Sequence, residues 1–177
     1  MNRSLRDNYA YLGNGVGITR THRGHRFFVS TEDFGLSPHV IMDGVWEEAI
    51  ESSILSLLQE GDNVVEVGCN MGYHTLAMCE KIGRKGRLYG FEANPEVYAL
   101  LALNIEYNDF KNEAIIHNFA ISDCEGTTKL AYRPSQIGSG SIVAGDHSRS
   151  ATHFVDVSTR KLDDVLAGIS DIALLRM

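Results

Sequence analysis

Glu66, Gly68, Asn70, Gly72 and His74 place five residues with possible chemical roles at every second position of one short stretch, and Glu92 follows further on. Glycines at 68 and 72 let a ligand approach the backbone with no Cβ in the way. A strand that ends in glycine and turns directly into a helix also presents unpaired N–H groups and a partial positive charge. About twenty residues after the turn, an acid closing a second strand can accept both hydroxyls of a ribose, and Glu92 has that spacing from Gly72. A dinucleotide fingerprint, Gly-x-Gly-x-x-Gly, would need glycine at 70 and 73. The chain has Asn70 and Tyr73 there. Without the pyrophosphate spacing, the pattern suits a nucleoside that carries no diphosphate. Glu66 lies inside an apolar strand, where a carboxylate needs partners. It reads both as a cofactor-site residue and as an organiser of the loop, with the turn's backbone N–H groups as partners.

The elements that must position these residues follow from periodicity. Val64–Val67 reads as a short buried strand after the turn Glu60-Gly61-Asp62, and Tyr73 to Ile82 as a helix stopped by Gly83. A strand is expected over 87–92. A helix then opens with Asn94 as cap and Pro95 at the first position, carries Val97, Leu100, Leu101, Leu103 and Asn104, and frays near Asn108. A third strand spans Ala114 to Phe119. This alternation implies a parallel sheet with helices on both faces and every ligand loop at one carboxyl edge.

Upstream, residues 1–20 read as a loosely ordered lead-in. His25–Thr31 is a strand paired with Val16–Arg20 as a hairpin. Ser37 is an N-cap before Pro38, and Val45–Leu58 is an amphipathic helix through Ile50, Ile54, Leu57 and Leu58. Downstream, β segments at Gly126–Tyr132 and His153–Ser158 flank a loop insertion over 134–141; long loops of this kind serve as lids or substrate contacts. A helix at 161–167 and a strand at 171–176 resume the pattern.

Glu66-Val67-Gly68-Cys69-Asn70-Met71-Gly72 resembles motif I of class I S-adenosylmethionine methyltransferases, and the chain over about residues 35–177 is similar to the FkbM family. Gly44-Val45-Trp46-Glu47, Phe91-Glu92-Ala93-Asn94-Pro95-Glu96, Asn104 with Asn108, Ala120-Ile121-Ser122-Asp123 with Gly126, and Lys161-Leu162-Asp163-Asp164-Val165-Leu166 carry the rest of the resemblance. It implies a doubly wound, mainly parallel α/β Rossmann-like sheet with S-adenosyl-L-methionine as cofactor. It also implies methyl transfer to an oxygen of a small molecule or sugar. Gly68, Asn70 and Gly72 would lie near the methionine part, with Glu66 as a further contact and Glu47 closing over the cofactor beside Trp46. Glu92 would hold the ribose, Ala93 and Asn94 would flank it, and Ala120, Ile121 and Ser122 would line the adenine. A base helps only if the acceptor is a hydroxyl; His74 is the candidate nearest the methyl position, ahead of His117, His147 and His153.

Two features depart from the family. Cys69 stands where alanine is usual. The family pattern continues after Ile172–Arg176 into Asp-x-Glu-Gly, whereas this sequence ends at Met177. The expectation is a lead-in and hairpin over 1–34 and a methyltransferase domain over 35–177 that is incomplete at its C-terminus. Its last strand would be left as a sheet edge open to self-association. Two rival readings are a non-catalytic module in a larger assembly and a nicotinamide-dependent oxidoreductase.

The bulk numbers set outer bounds. A net charge of −7 argues against a protein that lives on nucleic-acid phosphates, and Arg20, Arg23 and Arg26 with His22 and His25 read as a solvated edge. Cys69, Cys79 and Cys124 form no Cys-x-x-Cys, which points to a reduced, cytoplasmic setting. No secretory signal and no membrane-length apolar run is visible, and no His or Cys spacing matches a metal site.

Overall fold

The computed structural model describes residues 9–142 and 152–177; His147 lies outside the described residues. Strands β1 (Ala10–Gly13), β2 (Val16–Arg20) and β3 (Arg26–Ser30) form an antiparallel meander. The expected hairpin is present, with Ile18 opposite Phe28. The lead-in reading is corrected by β1. Asn14 and Gly15 take φ of 52° and 74°, the positive pair that a tight two-residue hairpin turn requires, and they fold Ala10–Gly13 back onto β2.

Helix α1 (Ser37–Asp43) starts one residue earlier than expected, so Ser37 is helical and not the cap. The Asp33 carboxylate does the capping instead, accepting from the N–H groups of Gly35, Leu36 and Ser37. Helix α2 (Glu48–Ser56) is shorter than its apolar pattern: Ile54 and Leu58 enter the core, while Ile50 and Leu57 stay exposed.

The central sheet has the order β11–β4–β5–β6, all parallel, from β4 (Asn63–Val67), β5 (Arg87–Phe91), β6 (Ala114–His117) and β11 (Ile172–Arg176). The chain winds outward from β4 in both directions, so the carboxyl end of β4 is the switch point where α/β sheets bind ligands. Helices α3 (Tyr73–Ile82) and α4 (Pro95–Tyr107) occupy the predicted places. Both join one core cluster with Val64, Leu88 and Ala114 on one sheet face, together with Phe27 and Val29 of β3. Helices on both faces were expected. On the opposite face Ile115 and Leu175 remain 39% and 48% exposed, so the described helices cover one side. β11 is an edge strand among the described residues.

Residues 120–161 are corrected most. The third strand ends at His117. Ala120–Ser122 is a separate strand, β7, paired in parallel with β10 (His153–Lys161) in a second sheet of order β7–β10–β8–β9. The predicted loop insertion is itself β structure: β8 (Gly126–Arg133) turns at Pro134-Ser135 into β9 (Gln136–Ile142). Ile137, the large apolar residue of that stretch, is buried in the main core, and this anchors the segment. Helix α5 (Leu162–Val165) is short and packs on β10.

Candidate functional site

The turn after β4 is built from main-chain strain and main-chain bonds. Gly68, Asn70 and Gly72 have φ of 82°, 52° and 90°. The N–H groups of Gly68 and Cys69 both donate to the Phe91 carbonyl, which locks the turn to the end of β5. A Cβ on Gly68 would meet nothing within 4 Å, so this glycine faces open space. A Cβ on Gly72 would stand 2.6 Å from Leu101 Cδ1. Gly72 is therefore set by packing of α3 against α4, and its α-carbon is turned away from the cleft.

Two cavities flank Gly68. The first, ≈ 190 Å³, is lined by Gly68, Glu92, Ala93, Asn94, Ala120 and Ile121 of the predicted residues. Glu92 sits at the end of β5 with its carboxylate clasped by the backbone. Oε2 accepts from Asn70 N at 2.8 Å and Oε1 from Asn94 N at 2.9 Å. Burial raises its pKa, and the two N–H groups pull it back toward the ionised form. Ala93 N–H also acts on the carboxylate; a carboxylate has about four lone-pair sites, so Glu92 keeps accepting capacity for a ligand hydroxyl. Asn94 caps α4, accepting from Glu96 N, and its Nδ2 donates to the Ile137 carbonyl. Ser122 is not in this lining; its hydroxyl donates to Asp123 on the exposed side.

The second cavity, ≈ 240 Å³, is lined by Trp46, Glu47, Asn70, His74 and Arg176, and it shares Gly68 and Gly138 with the first. His74 is buried, and its Nε2 lies 3.3 Å from Glu47 Oε2. Glu47 holds a left-handed backbone, φ 48°, which for a non-glycine residue costs about 1–3 kcal/mol and tends to mark functional sites. If Nε2–H donates to Glu47, Nδ1 keeps its lone pair, and Nδ1 has no hydrogen-bond partner. Burial and the nearby Arg176 lower the His74 pKa, while Glu47 and Glu51 raise it, and the net direction favours the neutral ring.

Glu66 lies outside both cavities. It is fully buried, accepting from Thr75 Oγ1 at 2.6 Å and from Arg176 Nη1 at 2.8 Å. Burial raises its pKa against the opposing pull of Arg176. Its partners are thus side chains, not the turn's N–H groups. His117 stacks on Phe91 at 5.4 Å, and His153 lies against Tyr132; neither lines either cavity.

Sequence reasoning missed Arg176, Leu130, Gly138, Gly140 and Ile142, all of which line one cavity or the other. Arg176 ends an apolar strand and carried no motif. Leu130 belongs to a stretch read as a β segment, Gly138 and Gly140 to one read as a loop, and Ile142 lies just past it; the alternation Gly138-Ser139-Gly140-Ser141 was the available sign of β9.

Residues 66–177 match the model of the methyltransferase FkbM domain. The chain belongs to the FkbM family. The FkbM domain here is of the S-adenosylmethionine-dependent methyltransferase type. Among curated relatives, a protein-L-isoaspartate O-methyltransferase of Methanothrix thermoacetophila is 37% identical over 59 residues, covering 33% of this chain and 28% of that protein. The corresponding enzyme of Methanococcoides burtonii is 29% identical over 82 residues, covering 46% and 36%. The chain therefore spans well under two thirds of the relatives it matches. Among solved structures, P. horikoshii TYW2 in complex with MeSAdo aligns at 19% identity and TM-score 0.49, covering 66% of this chain and 40% of that one.

Proposed function

We propose that this FkbM domain binds S-adenosylmethionine across the two cavities at the end of β4 and methylates an oxygen of a small molecule or sugar. The observation that carries the reading is Glu92, which lines the first cavity with its carboxylate held by the main-chain N–H groups of Asn70 and Asn94 and with accepting capacity left for a ligand. Glu92 would accept the ribose hydroxyls, and Ala93, Asn94, Ala120 and Ile121 would flank the base. The cofactor supplies an electrophilic methyl group on a sulfonium that leaves as a neutral thioether.

The protein's own work is orientation and proton handling. Holding two reactants in line supplies much of such a rate. His74, which lines the second cavity, takes the proton of the acceptor hydroxyl, while the Glu47 carboxylate beside its Nε2 offsets the imidazolium charge. Trp46 and Arg176 wall the same cavity. The net charge of −7 favours a small acceptor over a nucleic acid, whose binding rests on neutralising phosphates. All three cysteines are free, two of them buried, which suits the reducing cytoplasm. No helix among the described residues is long and apolar enough to cross a membrane. We assign the cleft to a domain over 35–177, whose described lining residues run from Leu36 to Arg176, and the described residues 9–34 to a flanking segment that carries the β1–β3 meander.

The test is a thermal-shift comparison with S-adenosylhomocysteine, S-adenosylmethionine and NAD. At a hundredfold excess over its dissociation constant a native-state ligand adds about 2.7 kcal/mol, or roughly 5–10 °C for a chain of this size. A shift with both adenosyl-sulfur ligands that is lost in Glu92→Ala supports the reading. A shift with NAD alone would refute it.

A further inference from the structure

Strand β9 leaves its sheet where it passes the cleft. Gln136 pairs with Arg133 and Ser141 pairs with Ala131, so Ile137–Gly140 stand opposite the single residue Tyr132. A bulge of this kind bends a strand and re-aims its residues, and bulges collect beside functional sites. Here it carries the main chain toward the β4 turn. A Cβ built on Gly138 would lie 2.3 Å from Asn70 Nδ2 and 2.5 Å from Asn70 Oδ1, so only glycine fits without displacing that amide. The amide is not free to move at no cost, because Asn70 Oδ1 accepts from Met71 N. The bulge is pinned on its other side by buried Ile137, whose carbonyl accepts from Asn94 Nδ2. Gly68 and Gly138 are the residues that both cavities share.

We propose that Gly138 and Gly68 form a neck between the two cavities, and that the β9 bulge selects ligands that thread it. For the S-adenosylmethionine of the proposed function, the nucleoside would lie in the Glu92 cavity and the amino-acid tail in the cavity of His74 and Arg176. This rests on the nucleoside reading of the Glu92 cavity. It adds that the inserted hairpin β8–β9, outside the β4 turn and β5, decides whether a tail is accepted. A side chain at 138 would run into the Asn70 amide, which lines the tail cavity and not the nucleoside cavity.

The experiment compares adenosine, which fills one cavity, with S-adenosylhomocysteine, which spans both, by isothermal titration on the wild-type chain and on Gly138→Val. In the variant, S-adenosylhomocysteine should bind at least about tenfold more weakly, or about 1.4 kcal/mol, while adenosine should stay within about twofold. Retained adenosine binding also shows that the variant is folded. Equal loss of both ligands, or loss of neither, would overturn the neck. Failure of the wild type to bind either ligand would overturn the nucleoside reading itself, and the neck with it. Hydrogen exchange on the wild type gives a second readout that needs no variant. The amide of Ser139, which lines the second cavity and not the first, should slow with S-adenosylhomocysteine and not with adenosine, and equal protection by both would overturn the proposal.

Discussion

Replacing Arg176 with methionine tests whether the buried carboxylate under the β4 turn depends on a single cation. Glu66 is fully buried, and its charged partner is the Arg176 guanidinium at 2.8 Å, with Thr75 donating to the other oxygen. Burial already raises the Glu66 pKa, and Arg176 is the largest influence holding it down. Methionine keeps much of the stem's volume and removes the charge, so the carboxyl's pKa rises further. Stripping one partner from a buried pair costs about 3–5 kcal/mol; at about 2–4 °C per kcal/mol for a chain of this size, Tm should fall by roughly 6–20 °C near neutral pH. Arg176 is 24% exposed, so water screens part of the interaction and the lower half of that range is expected.

The sign of the pH dependence is the diagnostic. An acid whose folded pKa is raised contributes stability that is fully present below its unfolded value and is lost as pH rises through the folded one. The variant should therefore lie nearest the wild type below the ordinary glutamate value, where Glu66 is protonated in the folded and unfolded chains alike, and fall away as pH rises. Thermal melts of both proteins by circular dichroism, from about pH 4 to about pH 8, read this directly. A deficit that is the same at both ends would refute the argument, because it would mean that Arg176 contributes the packing of its stem and not its charge.

Three further outcomes follow from the same geometry. Asn104 is fully buried, accepting from Phe28 N and donating to the carbonyls of Phe28 and Met71. Asn104→Leu strands those groups at about 1–3 kcal/mol each, and an urea melt whose midpoint is unchanged would show that they find other partners. Thiol labelling of the native chain should modify Cys124 quickly and leave Cys69 and Cys79 until unfolding, since both are buried with raised pKa values. Fast labelling of more than one thiol would contradict the packing around α3. Glu47→Gln removes the larger of two carboxylate influences that raise the His74 pKa, so a histidine NMR titration should find it lower in the variant; an unchanged value would break the proposed pairing.

Much of the fold was legible because its signals are local. Gly68, Gly83 and Asn94-Pro95 punctuate β4, α3, β5 and α4, and the elements fall at or within one residue of the predicted bounds. The hairpin turn at Asn14-Gly15 was equally local and was overlooked. What failed was non-local. Ala120–Ser122 looks like the end of a core strand by composition, yet it pairs with β10 more than thirty residues away. The stretch 134–141 looks like a loop because it is rich in glycine and serine, and it is a strand because Ile137 finds the core and β8 supplies a partner.

The candidate site divides along the same line. Residue types and spacing alone pointed to a ligand turn at the end of β4, with an acid at Glu92 and no dinucleotide fingerprint. Only the tertiary structure decided what each group faces. It turned Gly72 to Leu101 and Gly68 to open space, although both carry positive φ and both read alike in the sequence. It paired Glu66 with Arg176 across adjoining parallel strands, set His74 against Glu47, and laid Gly138 on Asn70. The physical reason is the range of the forces. Backbone conformation and capping are fixed within a few residues, whereas the partner of a buried charge and the wall of a cavity depend on which distant segment packs there.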